Sequence, residues 1–149
     1  MAMASGMYGL TLRDILDASA LPVDVVSDTL RQQLVTDTHT PNFNTHAAET
    51  DITNEVAGSG DYTAGGVTLA SKTLTASGGV LTFDAADASL TGTTLSSVRG
   101  RIVFDDTVTA PVADPLVVST TFGADYSTSS GTFAITENAS GIWTIDYTP

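Results

Sequence analysis

The sequence predicts a mainly β protein, an antiparallel β-sandwich or jelly-roll-like domain with a short N-terminal helical segment. Three observations predict it. Threonine fills about one position in six of the 149, and β-branched residues suit a pleated surface better than a helix. Common helix formers become sparse after residue 60. Short apolar or alternating stretches, bounded by Gly, Asn, Asp or Pro, recur every 8 to 15 residues or so, as strands do in sandwiches and barrels.

Along the chain, residues 1–9 are small and apolar without periodicity and read as a flexible or docking arm. Residues 10–149 read as one β-rich domain, with a mixed N-terminal part to about residue 60. Thr11 to Ser19 fits a helix: Thr11 as N-cap, Asp14 as the acidic member of a capping box, and Leu12, Ile15 and Leu16 on one face. Pro22 stops it. Val23 to Thr36 suits strand or helix, although Leu30, Gln32 and Leu34 alternate with Arg31, Gln33 and Val35. Thr38 to Thr45 reads as a loop, and His46 to Val56 as holding a helical turn.

Alternating stretches run through Gly66–Thr75, and strands are then expected at Val80–Asp84, Ala88–Thr91, Thr94–Phe104 and Leu116–Phe122. A terminal hairpin of Thr132–Thr136 and Ile142–Tyr147 would turn through Glu137–Gly141. In its last strand Trp143, Ile145 and Tyr147 share a face, and this aromatic face is the expected core face.

Composition excludes several chemistries. Seventeen acids against five bases give a formal charge of -12 and a pI near 4.1. General affinity for nucleic acid or an anionic membrane needs clustered Lys and Arg, so neither partner is expected. No apolar run approaches the roughly 18 residues of a membrane span. Without cysteine, disulfides and thiolate zinc sites are out. No cofactor is expected, and no metal ligand set.

The candidate residues are few. Asp84 and Asp87, and adjacent Asp105 and Asp106, have the chemistry to hold a hard cation or to act as acid and base on a glycan. As turn residues they serve local backbone N–H groups instead, which is the commoner use. His39 and His46 lack the His-Glu-x-x-His context and read as loop hydrogen bonders. No nucleophile elbow or phosphate loop is present. Met3, Met7, Tyr8 and Leu10 on the uncharged arm are candidate partner contacts. So are Arg99 and Arg101, two apart on a strand, unless they pair with the chain's own acids.

Several stretches carry a family resemblance: Pro41-Asn42-Phe43-Asn44-Thr45-His46, Asp51-Ile52-Thr53-Asn54-Glu55-Val56, and Gly60-Asp61-Tyr62-Thr63-Ala64-Gly65-Gly66-Val67. Further on come Phe83-Asp84-Ala85-Ala86-Asp87, Asp114-Pro115-Leu116-Val117 and Gly141-Ile142-Trp143. Together, over about residues 20–145, the chain resembles the small structural proteins of tailed bacteriophages. It departs after Asp87, where Ala88-Ser89-Leu90-Thr91 replaces a common aromatic. The resemblance implies a β-rich virion component. With the acidic charge, it leads to the expectation of a non-enzymatic decoration (cement) protein on the outer capsid surface, made in the host cytoplasm. Its expected partners are the major capsid protein and copies of itself. The alternative is a neck, tail or host-contacting component.

Overall fold

A computed structural model describes residues 3–16, 21–146 and 148. The chain is mainly β, and every strand pairing is antiparallel. In order, the elements are β1 (Gly6–Met7), α1 (Gly9–Leu16), β2 (Leu30–Thr36), a 3-10 turn (Glu49–Asp51), β3 (Val67–Thr68), β4 (Thr73–Ser77) and β5 (Val80–Asp84). Then follow β6 (Ala88–Thr93), β7 (Val98–Asp105), β8 (Leu116–Tyr126), β9 (Gly131–Ile135) and β10 (Trp143–Asp146). They form a five-stranded sheet ordered β1-β8-β7-β2-β3, a three-stranded sheet β10-β5-β4, and a pair β6-β9.

The alternation seen in the sequence resolves β2 as a strand, because both its faces are needed. Leu30 joins a core of Val103, Val118, Leu69 and Phe83, where the three-stranded sheet packs. Leu34, on the same face, joins Val98, Leu90, Phe133 and Ile135, where the β6-β9 pair packs. Leu90 thus fills core space where the sequence lacks the expected aromatic. Val35, on the opposite face, joins Ile102, Phe104, Leu116, Met3 and Tyr8. One face of the five-stranded sheet is covered by the smaller sheets, the other by the N-terminal segment and the loop around Phe43 and Ile52.

Several expectations are corrected. The expected docking arm is part of the core: Met3 is 5 % exposed and Tyr8 fully buried. Gly6 and Met7 pair with Ser119 and Val118, and the Ser119 hydroxyl donates to the Ala4 carbonyl. The cause is the edge of β8, whose backbone groups need partners. The helix starts at Gly9, and Thr11 does not cap it; its hydroxyl donates to the Leu116 carbonyl. Ile15 is 41 % exposed, so it does not form an inward face, and residues 17–19 of the expected helix lie outside the described residues.

The alternating stretches expected over Gly66–Thr75 form two short strands in different sheets, parted at Ser71, whose φ is 50°. The expected terminal hairpin does not form: β9 pairs with β6 and β10 with β5. Residues 137–142 instead cross between sheets. Gly141 makes this crossing possible, with φ 86° and no room for a Cβ, which would lie 2.6 Å from the Phe83 carbonyl oxygen. Trp143 does face inward, stacking on Phe83 with ring centroids 5.5 Å apart. It is only partly buried, because β10 is an edge strand. Tyr147 lies outside the described residues.

Candidate functional site

The motif residues of the sequence are internal joints. Tyr62, fully buried, accepts a hydrogen bond from Leu34 N (2.9 Å) and donates to Glu55 Oε1 (2.6 Å). Glu55 Oε1 also accepts from Gly65 N (2.8 Å). Asn54 and Val56 bond through their backbones to Thr36 and Leu34. Burial, then the Glu55 bond, push the Tyr62 phenol far above its ordinary range. The Asn-Glu-Val and Gly-Asp-Tyr-Thr-Ala-Gly-Gly segments are therefore two halves of one clamp across β2. Gly66 completes it: φ is 87°, and a Cβ there would lie 2.5 Å from the Gln32 carbonyl oxygen. Asp61 ties the clamp to β6 by accepting from the Thr91 amide and hydroxyl.

The other acids divide similarly. Asp84 Oδ1 accepts from Ala85 N, the local turn role expected of it, whereas Asp87 Oδ1 accepts from the distant Glu137 N and ties its turn to the crossing after β9. Asp106 pairs with Arg31 at 3.7 Å. Asp105 is fully buried and ends β7, on a different sheet from Asp84. His39 Nδ1 accepts from Thr53 N (3.2 Å), and burial, then the nearby His46, push its pKa down. His46 Nδ1 accepts weakly from Asn42 N. Both histidines brace the loop.

The predicted contact residues are not gathered on one exposed surface. Met3 and Tyr8 are inside; Met7 and Leu10 are half-buried. Arg101 is internal: its guanidinium grips Glu137 with two bonds, at 2.5 and 2.6 Å, and donates to Gln32 Oε1 at 2.8 Å. The side chains of this pair are only 2 % and 8 % exposed. Arg99 bonds Asp125 at 2.7 Å and approaches Asp37 at 3.6 Å. Both arginines thus satisfy the chain's own acids, the alternative weighed from their spacing.

What the structure exposes instead is a groove of about 440 Å³ between the end of β8 and β9. Phe122, Tyr126 and Phe133 are its aromatic residues, with Thr128, Thr132 and Thr136 among the remainder, and no lining residue is charged. Phe122 packs on Phe133 at 6.1 Å and edge-on to Tyr126 at 6.5 Å between centroids. Tyr126 is 50 % exposed. No β6 residue lines the groove, so it runs along the side of β9 away from its only strand partner among the described residues. It offers an open strand edge and an aromatic wall together, the parts used in recognition by strand addition. The signal in the sequence is Phe122-Gly123-Ala124-Asp125-Tyr126. Two aromatics flank a glycine with φ of 79°, beyond where the strand was expected to end. Across β7–β8 the register jumps there, from Gly100↔Thr121 to Val98↔Tyr126, which lifts residues 122–125 out of the ladder.

No family model, curated protein or solved structure matches the chain.

Proposed function

We propose that this chain is a non-enzymatic structural protein of a tailed-bacteriophage virion, bound to the outer capsid surface as a decoration protein. We read its architecture as sandwich-like, the two small sheets lying over one face of the larger one. The observation that carries the reading is the uncharged aromatic groove beside an open strand edge on a chain of net charge -12. Elsewhere the protein repels other acidic surfaces and stays soluble; here it accepts a neighbour's backbone and apolar side chains. The resemblance to phage structural proteins favours the same reading; of its two most specific stretches, one builds the internal clamp at Tyr62 and Glu55.

The occupant of the groove is an extended segment of the major capsid protein, added to β9 as a further strand. Main-chain hydrogen bonds supply affinity, and Tyr126 supplies an anchor of the kind that dominates interface energetics. Repetition over a symmetric shell, with contacts between copies, strengthens each weak attachment. The test mixes purified protein with capsids that lack it and measures occupancy. Wild type saturates the shell; Tyr126→Asp, assayed well below its own melting temperature so that it is folded, weakens attachment about tenfold or more. Equal occupancy by the variant removes the groove as the attachment surface.

A further inference from the structure

We propose that the outer edge of β4 pairs, antiparallel and about a two-fold axis at Thr75, with the β4 of a second copy of this chain. All five residues of Thr73–Ser77 are exposed. β4 is the outermost strand of the three-stranded sheet, so one side of its backbone lacks a ladder among the described residues. Its pairing with β5 runs without a bulge from Thr73↔Asp84 to Ser77↔Val80, which keeps the open edge straight. None of the usual protections stands on it: the strand holds no charge and no Pro. The other edges differ. β6 is bulged between Leu90 and Thr93 and is bonded at Thr91 by Asp61. β1 and β3 have two residues each, β10 carries Asp146, and β9 faces the groove.

The register identifies the occupant. Cross-strand partners put Thr75, Thr82 and Thr144 in one row on one face of this sheet, and Leu74, Phe83 and Trp143 in one row on the other. Phe83 is fully buried, but Leu74, at the end of its row, is 40 % exposed, so the apolar face runs one strand beyond the core it covers. A second copy turned about Thr75 sets Thr75 against the partner's Thr75, Leu74 against the partner's Ala76, and Thr73 against the partner's Ser77. Hydroxyl meets hydroxyl on one face and apolar meets apolar on the other, both favourable as cross-strand pairs. The two three-stranded sheets become one, and both kinds of row continue through the axis. Charge permits this contact. On a chain of net charge -12 most surfaces repel their own copies. Here the acids that share a row, Asp84 and the partner's Asp146, stand four strand spacings apart, about 19 Å, beyond the screening length of about 8 Å. A pairing of five residues a side buries little area, so the dimer is weak. The pairing is independent of the capsid reading, and β4 and the groove lie on different sheets.

The chain has no cysteine, so a single introduced thiol reports its own neighbour. The full chain is used at about 0.5 mM, a concentration suited to a weak pair. Under mild oxidation Thr75→Cys forms a disulfide dimer on non-reducing electrophoresis. Leu74→Cys does not, because in this register its two Cα atoms lie about 8 Å apart, past the roughly 7 Å that a disulfide spans. Thr144→Cys, exposed on the opposite edge strand, does not either. In sedimentation equilibrium the mass of the wild type rises from 15.3 kDa towards twice that. Thr75→Lys, which sets like charges opposite each other, stays monomeric when assayed well below its own melting temperature. A wild type that is monomeric at this concentration overturns the pairing, as does a dimer that Thr75→Lys leaves intact. Failure of Thr75→Cys to cross-link, or equally fast cross-linking of Leu74→Cys or Thr144→Cys, overturns it as well.

Discussion

Replacing Arg101 by Met separates an internal brace from a partner-facing cation. Arg101 lies in the middle strand of the large sheet, between β2 and β8. It makes two bonds to Glu137, which sits on the crossing that carries the chain from β9 to β10. With both side chains more than nine-tenths buried, Met fills much of the volume but leaves the Glu137 carboxylate buried without its counter-charge. Breaking one half of a buried pair costs about 3–5 kcal/mol. Gln32 Oε1 also loses its donor. For a domain of this size 1 kcal/mol moves Tm by about 2–4 °C, so the drop is about 6–20 °C. Arg101→Met/Glu137→Leu, which removes both charges, recovers most of the loss. The assay is urea denaturation of both single variants and the double variant, read as a double-mutant cycle. A single-variant cost below about 1 kcal/mol refutes the reasoning, because exposed pairs contribute that little.

Tyr62→Phe removes the acceptor of the buried Leu34 N–H and one donor to Glu55; it costs about 2–4 kcal/mol in urea denaturation, and an unchanged midpoint would show that the clamp contributes nothing. Tyr8→Ala empties core volume beside Phe43 and lowers stability by about 3–5 kcal/mol, whereas a free arm would tolerate it without change. Asp105→Asn alters the pH profile of stability. The folded carboxyl titrates near 6 and the unfolded one near 4, so the stability it confers is complete below about pH 4 and is lost as pH rises to about 6. The variant avoids this loss and gains up to about 3 kcal/mol at pH 7.5. His39 works oppositely, its burial eroding stability as pH falls below about 6.5. Both proteins share that slope, so the difference between them isolates Asp105; a pH-independent difference contradicts the assignment.

The sequence was most legible where one local signal decided the structure. Val80–Asp84 is a strand with the expected bounds, whereas Leu30–Thr36, buried on both faces, has a pattern that suits strand or helix until its partners are known. Pairing was less legible, because it depends on distant contacts. Nothing local to Thr132–Thr136 and Ile142–Asp146 tells that each has a different partner; that follows from Gly141 against Phe83 and Glu137 under Arg101. The N-terminal residues were misread for a related reason. A short apolar segment without periodicity looks like an arm, until the unpaired edge of β8 gives it a ladder. Arg101 illustrates the limit for the site. Spacing put it on a strand, and only the fold decides whether that strand face is inside. The groove is not legible because it depends on residues 122–125 leaving the β7–β8 ladder through a register jump that no local pattern announces.

The decoration reading is tested most directly by counting copies in purified virions, by quantitative mass spectrometry with the major capsid protein as internal standard. A decoration protein is predicted to approach the number of shell subunits, or a fixed simple fraction of it. A handful of copies per particle would contradict the reading and place the chain at a neck or tail vertex instead.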